Sequence, residues 1–442
     1  MDRRKFLKDS ALAAAALAIT PYAKASTLTK DTDNEPTDTT KALIDSAPML
    51  QNFAETSIGI AFSVTDMANG FVEYGLLPDL SDAKTVKCGG YRMTDMTNDI
   101  IRVRLTGLKP ATKYYYRIGA DRIAYKGGYN MKIIEHYTDN TIYSFTTAGA
   151  AAPSHFCVIN DTHAYWDTFA KANDKISELA PACVVWNGDA CNTEETVAAQ
   201  KRIFLKPEID RKDYASRTPF LLCPGNHDLR GLANRHLERV WMYRQPEERD
   251  SRDWDLGRNF AVRLGDIALI GLDTGEDKQD TNPVFAGLFA SKQYREAQTE
   301  WLKSALKRKE IAKAPFLVAL CHIPLFDSNP KNNPGDVTPD DKSPAYKQDF
   351  AFWQRTCSNM WTPLLQKAGC QLIIVAHQHR YHFDAADNSR KWAQICGGGP
   401  HLESATKFPT VIEALVENKQ LVIRVHNLHS NEIAEQHVFK AK

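Results

Sequence analysis

Five short apolar runs in this chain each end in side chains able to hold a divalent metal. The runs "FCVIND", "CVVWNGD", "FLLCPGNHD", "FLVALCHIP" and "LIIVAHQH" carry Asp161-Thr162-His163, Gly188-Asp189, Gly225-Asn226-His227-Asp228, His322 and His377-Gln378-His379 at their ends. Imidazole, carboxylate and amide oxygen are the groups that borderline divalent metals take. One such tip says little, because a terminal Asp or Asn is commonly a turn former or a helix cap. The pair His377 and His379 is open in the same way. Residues two apart in an extended chain point to the same side, so the two could be ligands, proton shuttles or packed imidazoles. Five tips together say more, since ligands of an open α/β sheet gather beyond the carboxyl ends of its strands. His382 lies off the parity of the pair, and His401, His426, His429 and His437 show no partnering pattern; these five read as structural or exposed.

The elements that must position these groups follow from the same runs. Near-continuous apolar stretches describe strands buried on both faces. Between several of them lie helical patterns such as "SKQYREAQTEWLKSALKRK", with Tyr294, Ala297, Trp301 and Leu302 or Leu306 on one face. Strands alternating with helices predict an α/β layered domain over residues 154–442, with a hairpin around Glu417-Asn418-Lys419-Gln420 near its end. Residues 47–149 have another rhythm: "IGIAFSV", "GFVEYGL", "IIRVRLTGL", "KYYYRIG" and "IYSFTT" are short β-branched or aromatic runs parted by turn residues. They predict a small all-β sandwich. Two segments, Leu229 to Arg258 and Asp327 to Tyr346, read as long surface excursions of the kind that shape specificity.

Composition bounds the setting. Of 442 residues, 43% are hydrophobic and 25% charged, and the formal charge is +1, so no nucleic-acid footprint is present. Residues 1–25 have a basic start, an Ala-rich run and a small-x-small site at Ala23-Lys24-Ala25, the layout of a signal peptide too short to span a bilayer. "RRKFLK" matches a twin-arginine export signal, which predicts a periplasmic or cell-envelope location. Residues 26–46 are rich in Thr and Asp and read as a flexible linker; nothing after the leader reads as a transmembrane segment. Of the nine cysteines, Cys157, Cys183, Cys223 and Cys321 sit in or beside apolar runs, where they act as small buried hydrophobes; the odd count argues against a disulfide framework and leaves room for one or two bridges.

In their order, the five blocks resemble the calcineurin-like metallophosphoesterase superfamily: D-x-H, G-D-x-x-(D/N), G-N-H-(D/E), a lone His, then H-x-H. The front domain, with "FVEYG", "VRLTGLKPATKYYYRIG" and "YSFTT", looks like the fibronectin type III-like sandwich that precedes the catalytic domain of purple acid phosphatases. The resemblance implies a layered α/β metallophosphoesterase β-sandwich flanked by helices. It also implies two metal ions per chain, Fe, Mn or Zn. Asp161, His163 and His379 would hold one ion, Asn226, His322 and His377 the other, and Asp189 would bridge them. A carboxylate has two oxygens with which to span two cations, whereas an imidazole serves one. The function so implied is hydrolysis of a phosphate ester by a metal-bridging hydroxide, with His227 assisting protonation of the leaving oxygen; the motifs do not separate monoester from diester, and the monoester is slightly favoured.

This chain departs from the pattern in places. Ala376 stands where the family has Gly before H-x-H. Asn192, in the last position of G-D-x-x-(D/N), is expected to orient His227 without the charge of an Asp, leaving acid catalysis to be shared with Asp228. Purple acid phosphatases carry a tyrosine ligand at that position, so no ferric-tyrosinate colour is expected. Arg230 is placed either as a bidentate phosphate clamp or as a solvated side chain. Asn160 and Asp167 read as turn or capping residues, and the run Gly397 to Pro400 as a close backbone approach or a turn. The competing reading is a cell-envelope binding protein of weak activity whose β-sandwich recognises a glycan or a partner. The complete ligand set speaks against it.

Overall fold

The computed structural model describes residues 38–88, 96–127, 129–205, 215–243, 256–280, 282–283, 287–326, 345–402 and 407–442. The expected signal segment, the linker up to residue 37, and most of the second excursion (327–344) with part of the first (244–255) lie outside the described residues.

Two sheets face each other across the centre. In the first, the strands His155–Ile159, Cys183–Asn187 and Phe220–Cys223 run parallel. In the second, Ile267–Leu272, Phe316–Cys321, Leu372–Val375 and Ala393–Cys396 run parallel. Every residue of these strands but His155 is buried, and the two-residue period assigns each one a partner layer. Phe156, Val158, Val185 and Leu221 meet Leu269, Val318, Leu320 and Ile374 in the core between the sheets. Their neighbours Cys157, Ile159, Val184 and Trp186 turn outward to Phe169 and Ile176 of the helix Trp166–Leu179 and to Phe204 of the helix Val197–Phe204. On the far side Ala268, Ile270, Leu317 and Ile373 pack under Trp301 and Leu302 of the helix Ser291–Ala305 and under Trp361 and Leu365 of the helix Ala345–Lys367. The result is helix, sheet, sheet, helix.

The expected front strands all form, and the structure adds Lys84–Lys87 and Met131–Thr138. One half of this front sandwich is continuous with the first central sheet. Met49–Gln51 pairs parallel to Phe220–Cys223 and antiparallel to Ile58–Ser63, which pairs with Ile100–Leu105. The join is tied by Gln51, whose amide nitrogen donates to the Val240 carbonyl at 2.9 Å and whose oxygen accepts from the Met242 amide at 3.0 Å. The Tyr116 hydroxyl donates to the Ser216 carbonyl at 2.7 Å.

The last part of the segment read as linker is packed. Leu43 is 1% exposed, and the buried Arg122 donates to the carbonyls of Asp38 and Lys41 while pairing with Asp66 and Glu135. An apolar side chain and a buried guanidinium supply what the polar composition hid. All nine cysteines are buried and unbridged. No helix among the described residues is long and apolar enough to cross a membrane.

Candidate metal centre

The five tips meet at one place because their strands are parallel neighbours in two facing sheets. Asp161, His163, Asp189, His377 and His379 have left-handed backbones, with φ of 45°, 46°, 51°, 70° and 53°. Non-glycine residues rarely adopt this conformation, and strain of this kind gathers at functional sites. Two glycines make the approach possible. A Cβ on Gly188 would sit 2.2 Å from the His322 ring, and one on Gly225 would sit 2.2 Å from the Asp189 carboxylate.

Two groups of side chains each bring ligand atoms within 4.8 Å of one another: Asp161, His163, Asp189 and His379, and Asp189, His322 and His377. Asp189 belongs to both. Its Oδ2 lies 3.5 Å from His163 Nε2 and 3.1 Å from His322 Nε2, while its Oδ1 accepts from the His227 amide at 2.9 Å. Asp161 Oδ1 lies 3.5 Å from His379 Nε2 and 3.8 Å from His322 Nε2. The side-chain oxygen of Asn226 stands 3.0 Å from His377 Nδ1, which places it beside the second group.

The surrounding groups fix which atoms face inward. His322 Nδ1 meets the Asn187 carbonyl at 2.9 Å and must donate to it, so in the neutral ring Nε2 presents a lone pair. That buried Nε2 has no hydrogen-bond partner. His163 Nδ1 is bound by the Asn192 side-chain oxygen at 2.9 Å, and its Nε2 points at His379 Nε2 from 2.9 Å. Lone pairs and carboxylate oxygens thus converge in a buried space, an arrangement that a cation satisfies.

Charge tells the same story. Burial, with Asp189 beside it, pushes the Asp161 carboxyl up to about 7. Burial holds His377 and His379 down at about 3, so both are neutral and able to ligate. Against burial, which alone would lower it, Asp189 pushes His322 up to about 10. Positive charge is wanted where His322, Asp161 and Asp189 meet.

Several expectations are corrected. The Asn192 side chain orients His163 rather than His227: its oxygen meets His163 Nδ1 at 2.9 Å. Asp228 is fully buried, and its two oxygens accept from the amides of Cys191 and Gly225 at 3.0 and 2.9 Å. It ties two ligand loops together from a fully buried position, out of reach of a substrate in the crevice. Arg230 is partly exposed, but its paired Nε and Nη2 are already taken by Glu276 at 2.9 and 2.7 Å, so it does not offer that face to a phosphate. Its Nη1 stands 3.1 Å from His227 Nε2. The His227 ring stands edge-on to His163, with centroids 4.8 Å apart.

Some contributors escaped the sequence reading. Asn160 is more than a turn residue: its amide donates to Asp161 Oδ2 at 2.8 Å and to the Gly398 carbonyl at 3.2 Å, which brings the glycine run against the site. Asp167 lies in the first turn of its helix, where a carboxylate suits the dipole. Glu276 and Asp277 follow the strand Ile267–Leu272, a sixth apolar run ending in acids that could have been counted with the other five. His401, expected to be structural or exposed, is exposed and stands edge-on to Tyr165, with centroids 4.9 Å apart.

Comparison with known proteins agrees with this arrangement. The sequence profile of the calcineurin-like phosphoesterase family matches residues 154–381, and that of the purple acid phosphatase N-terminal domain matches residues 49–147. Purple acid phosphatase 15 of Arabidopsis thaliana is 24% identical over 263 residues, covering 53% of this chain and 44% of that protein. The chain therefore aligns with less than half the length of this curated relative. Among solved structures, purple acid phosphatase PPD1 from yellow lupin (Lupinus luteus) seeds superposes with a TM-score of 0.59 at 14% identity, covering 89% of this chain and 74% of that one. PhoD superposes with a TM-score of 0.56 at 12% identity, covering 90% of both chains. Both share the fold.

Proposed function

The chain belongs to the calcineurin-like phosphoesterase family, and we propose that it is an exported enzyme that hydrolyses a phosphate ester, a monoester by preference, at a centre of two metal ions. The observation that carries this reading is Asp189, whose carboxylate belongs to both ligand groups. Asp161, His163 and His379 would hold one ion and Asn226, His322 and His377 the other. Fe, Mn and Zn all suit such a mixed set. When bound, the ions supply an activated water and a clamp on the phosphoryl group.

The chain's own residues do the rest. Asn160, Asn187 and Asn192 hold Asp161, His322 and His163 in ligating orientation through the contacts given above. His227 lines the crevice and handles the proton of the leaving oxygen. Arginine only donates, so His227 Nε2 accepts from Arg230 in the resting arrangement. Once that N–H has turned to a phosphate oxygen, Nε2 is free to take a proton from water and pass it to the leaving oxygen. The leader of residues 1–25 supports export.

The test is turnover of p-nitrophenyl phosphate and of its bis ester by metal-loaded protein, with metal content measured on the same sample. Faster cleavage of the monoester with about two ions per chain is the expected result. Cleavage of neither ester overturns the reading.

A further inference from the structure

We infer that Glu276 is a positioning residue that fixes Arg230 against His227 and keeps its guanidinium from closing on a phosphate. The inference rests on the reading of the crevice as a phosphate-ester site. Glu276 is 2% exposed and follows the strand Ile267–Leu272, on the sheet facing the one that carries the His227 loop. Its Oε2 accepts from Arg230 Nε at 2.9 Å and its Oε1 from Nη2 at 2.7 Å. That is the paired face with which a guanidinium would grip a phosphate, and a buried carboxylate fills it. Asp277 Oδ1 lies 3.6 Å from the same Nη2, and Lys278 Nζ reaches both Asp277 and Glu276, at 2.6 and 3.3 Å. The two cations therefore face two anions.

With the guanidinium plane pinned, Nη1 is the nitrogen left to be shared between the His227 ring and a substrate oxygen. Glu276 thus does two opposing things. Its charge and its hold on Arg230 weaken the grip on a resting phosphate. Its hold on the plane of Arg230 also keeps the ring of His227 in one orientation at the crevice. Removing the carboxylate should tighten binding of the ground state and slow turnover, whereas a merely structural residue would weaken both.

The experiment is a mutant cycle on the metal-loaded protein with Glu276→Ala and Arg230→Met, singly and together. Inorganic phosphate binding is measured by calorimetry, and kcat and KM on p-nitrophenyl phosphate and on an alkyl phosphate. Glu276→Ala is expected to bind phosphate about tenfold more tightly, because a freed guanidinium can grip it with two charge-assisted bonds. Its kcat on the alkyl ester should fall by about tenfold, as is common when an outer partner of a site is lost. Metal content should not change, and neither effect should appear in the Arg230→Met background. Should the alanine variant fail to fold, Glu276→Gln keeps the shape and should move both quantities in the same directions. Phosphate binding that does not tighten, or effects that persist without Arg230, overturn the inference. A wild-type protein that cleaves no ester sinks the phosphoesterase reading alone, because the phosphate-binding cycle still decides the role of Glu276.

Discussion

His322 Nε2 stands 3.1 Å from Asp189 Oδ2, while its other ring nitrogen meets the Asn187 carbonyl. Without an ion a second ring proton holds the pair, which is why Asp189 lifts His322 to about 10; with the ring proton at Nδ1 alone, a cation between Nε2 and Oδ2 takes that proton's place. Asp189→Asn should therefore lower metal content below two ions per chain and bring ester hydrolysis to background. A variant that keeps both ions and full activity would remove Asp189 from the role of shared ligand.

Asn192 holds His163 by its side-chain oxygen at 2.9 Å and returns a hydrogen bond from its amide to the His163 carbonyl at 3.3 Å. Alanine there frees the ring to turn. Outer partners of this kind are commonly worth about 10–100-fold in metal affinity. Asn192→Ala is expected to lose that much affinity at the ion held by His163, with the second ion retained. Titration of the metal-free variant with Zn or Mn reads this as one weakened step out of two. An unchanged titration would show that His163 needs no such support.

The strand-tip argument worked because parity and sheet ends are local properties. Asp161, His163, Asp189, His322, His377 and His379 each announce themselves by an apolar run followed by a ligand type, and parallel pairing brings the tips together. The outer contacts were hidden for an equally physical reason. Asn187 acts through its main-chain carbonyl, which no side-chain pattern reveals. Asp228 looks like a catalytic acid beside His227, but two amides of the surrounding loops take both its oxygens. Arg230 finds its carboxylate 46 residues away, across the crevice. The union of the front sandwich with the central sheet rests on the three-residue strand Met49–Gln51, too short to stand out in the sequence.

Colour offers an independent check on Asn192. The sequence resemblance sets Asn192 where purple acid phosphatases are expected to carry a tyrosine bound to ferric iron, and its side-chain oxygen is engaged by His163. The iron-loaded chain should hydrolyse esters without showing a visible tyrosinate-to-iron band. An absorption spectrum of the active, iron-loaded protein measures this, and a purple sample would show that another tyrosine has entered the ligand set.

Away from the centre, Glu413 links three neighbouring strands. Its Oε1 lies 3.1 Å from His155 Nε2 and its Oε2 lies 3.0 Å from His426 Nε2. Burial alone would raise its pKa, yet the hydrogen bonds from His155 and His426 hold it well below the usual carboxylate range. A depressed folded-state value means that the ionised form stabilises the fold. That contribution is full above the unfolded glutamate value of about 4.3 and fades as acid drives the pH down through the lower folded value. Glu413→Gln keeps the shape but not the charge, and should destabilise the protein by about 1.5–3 kcal/mol near pH 7, the usual worth of a hydrogen bond to a charged group. The gap between wild type and variant should narrow as the pH is lowered from about 5 toward about 3. Thermal midpoints measured across that range test the sign: a gap that stays constant would mean that the charge on Glu413 does not hold these strands together.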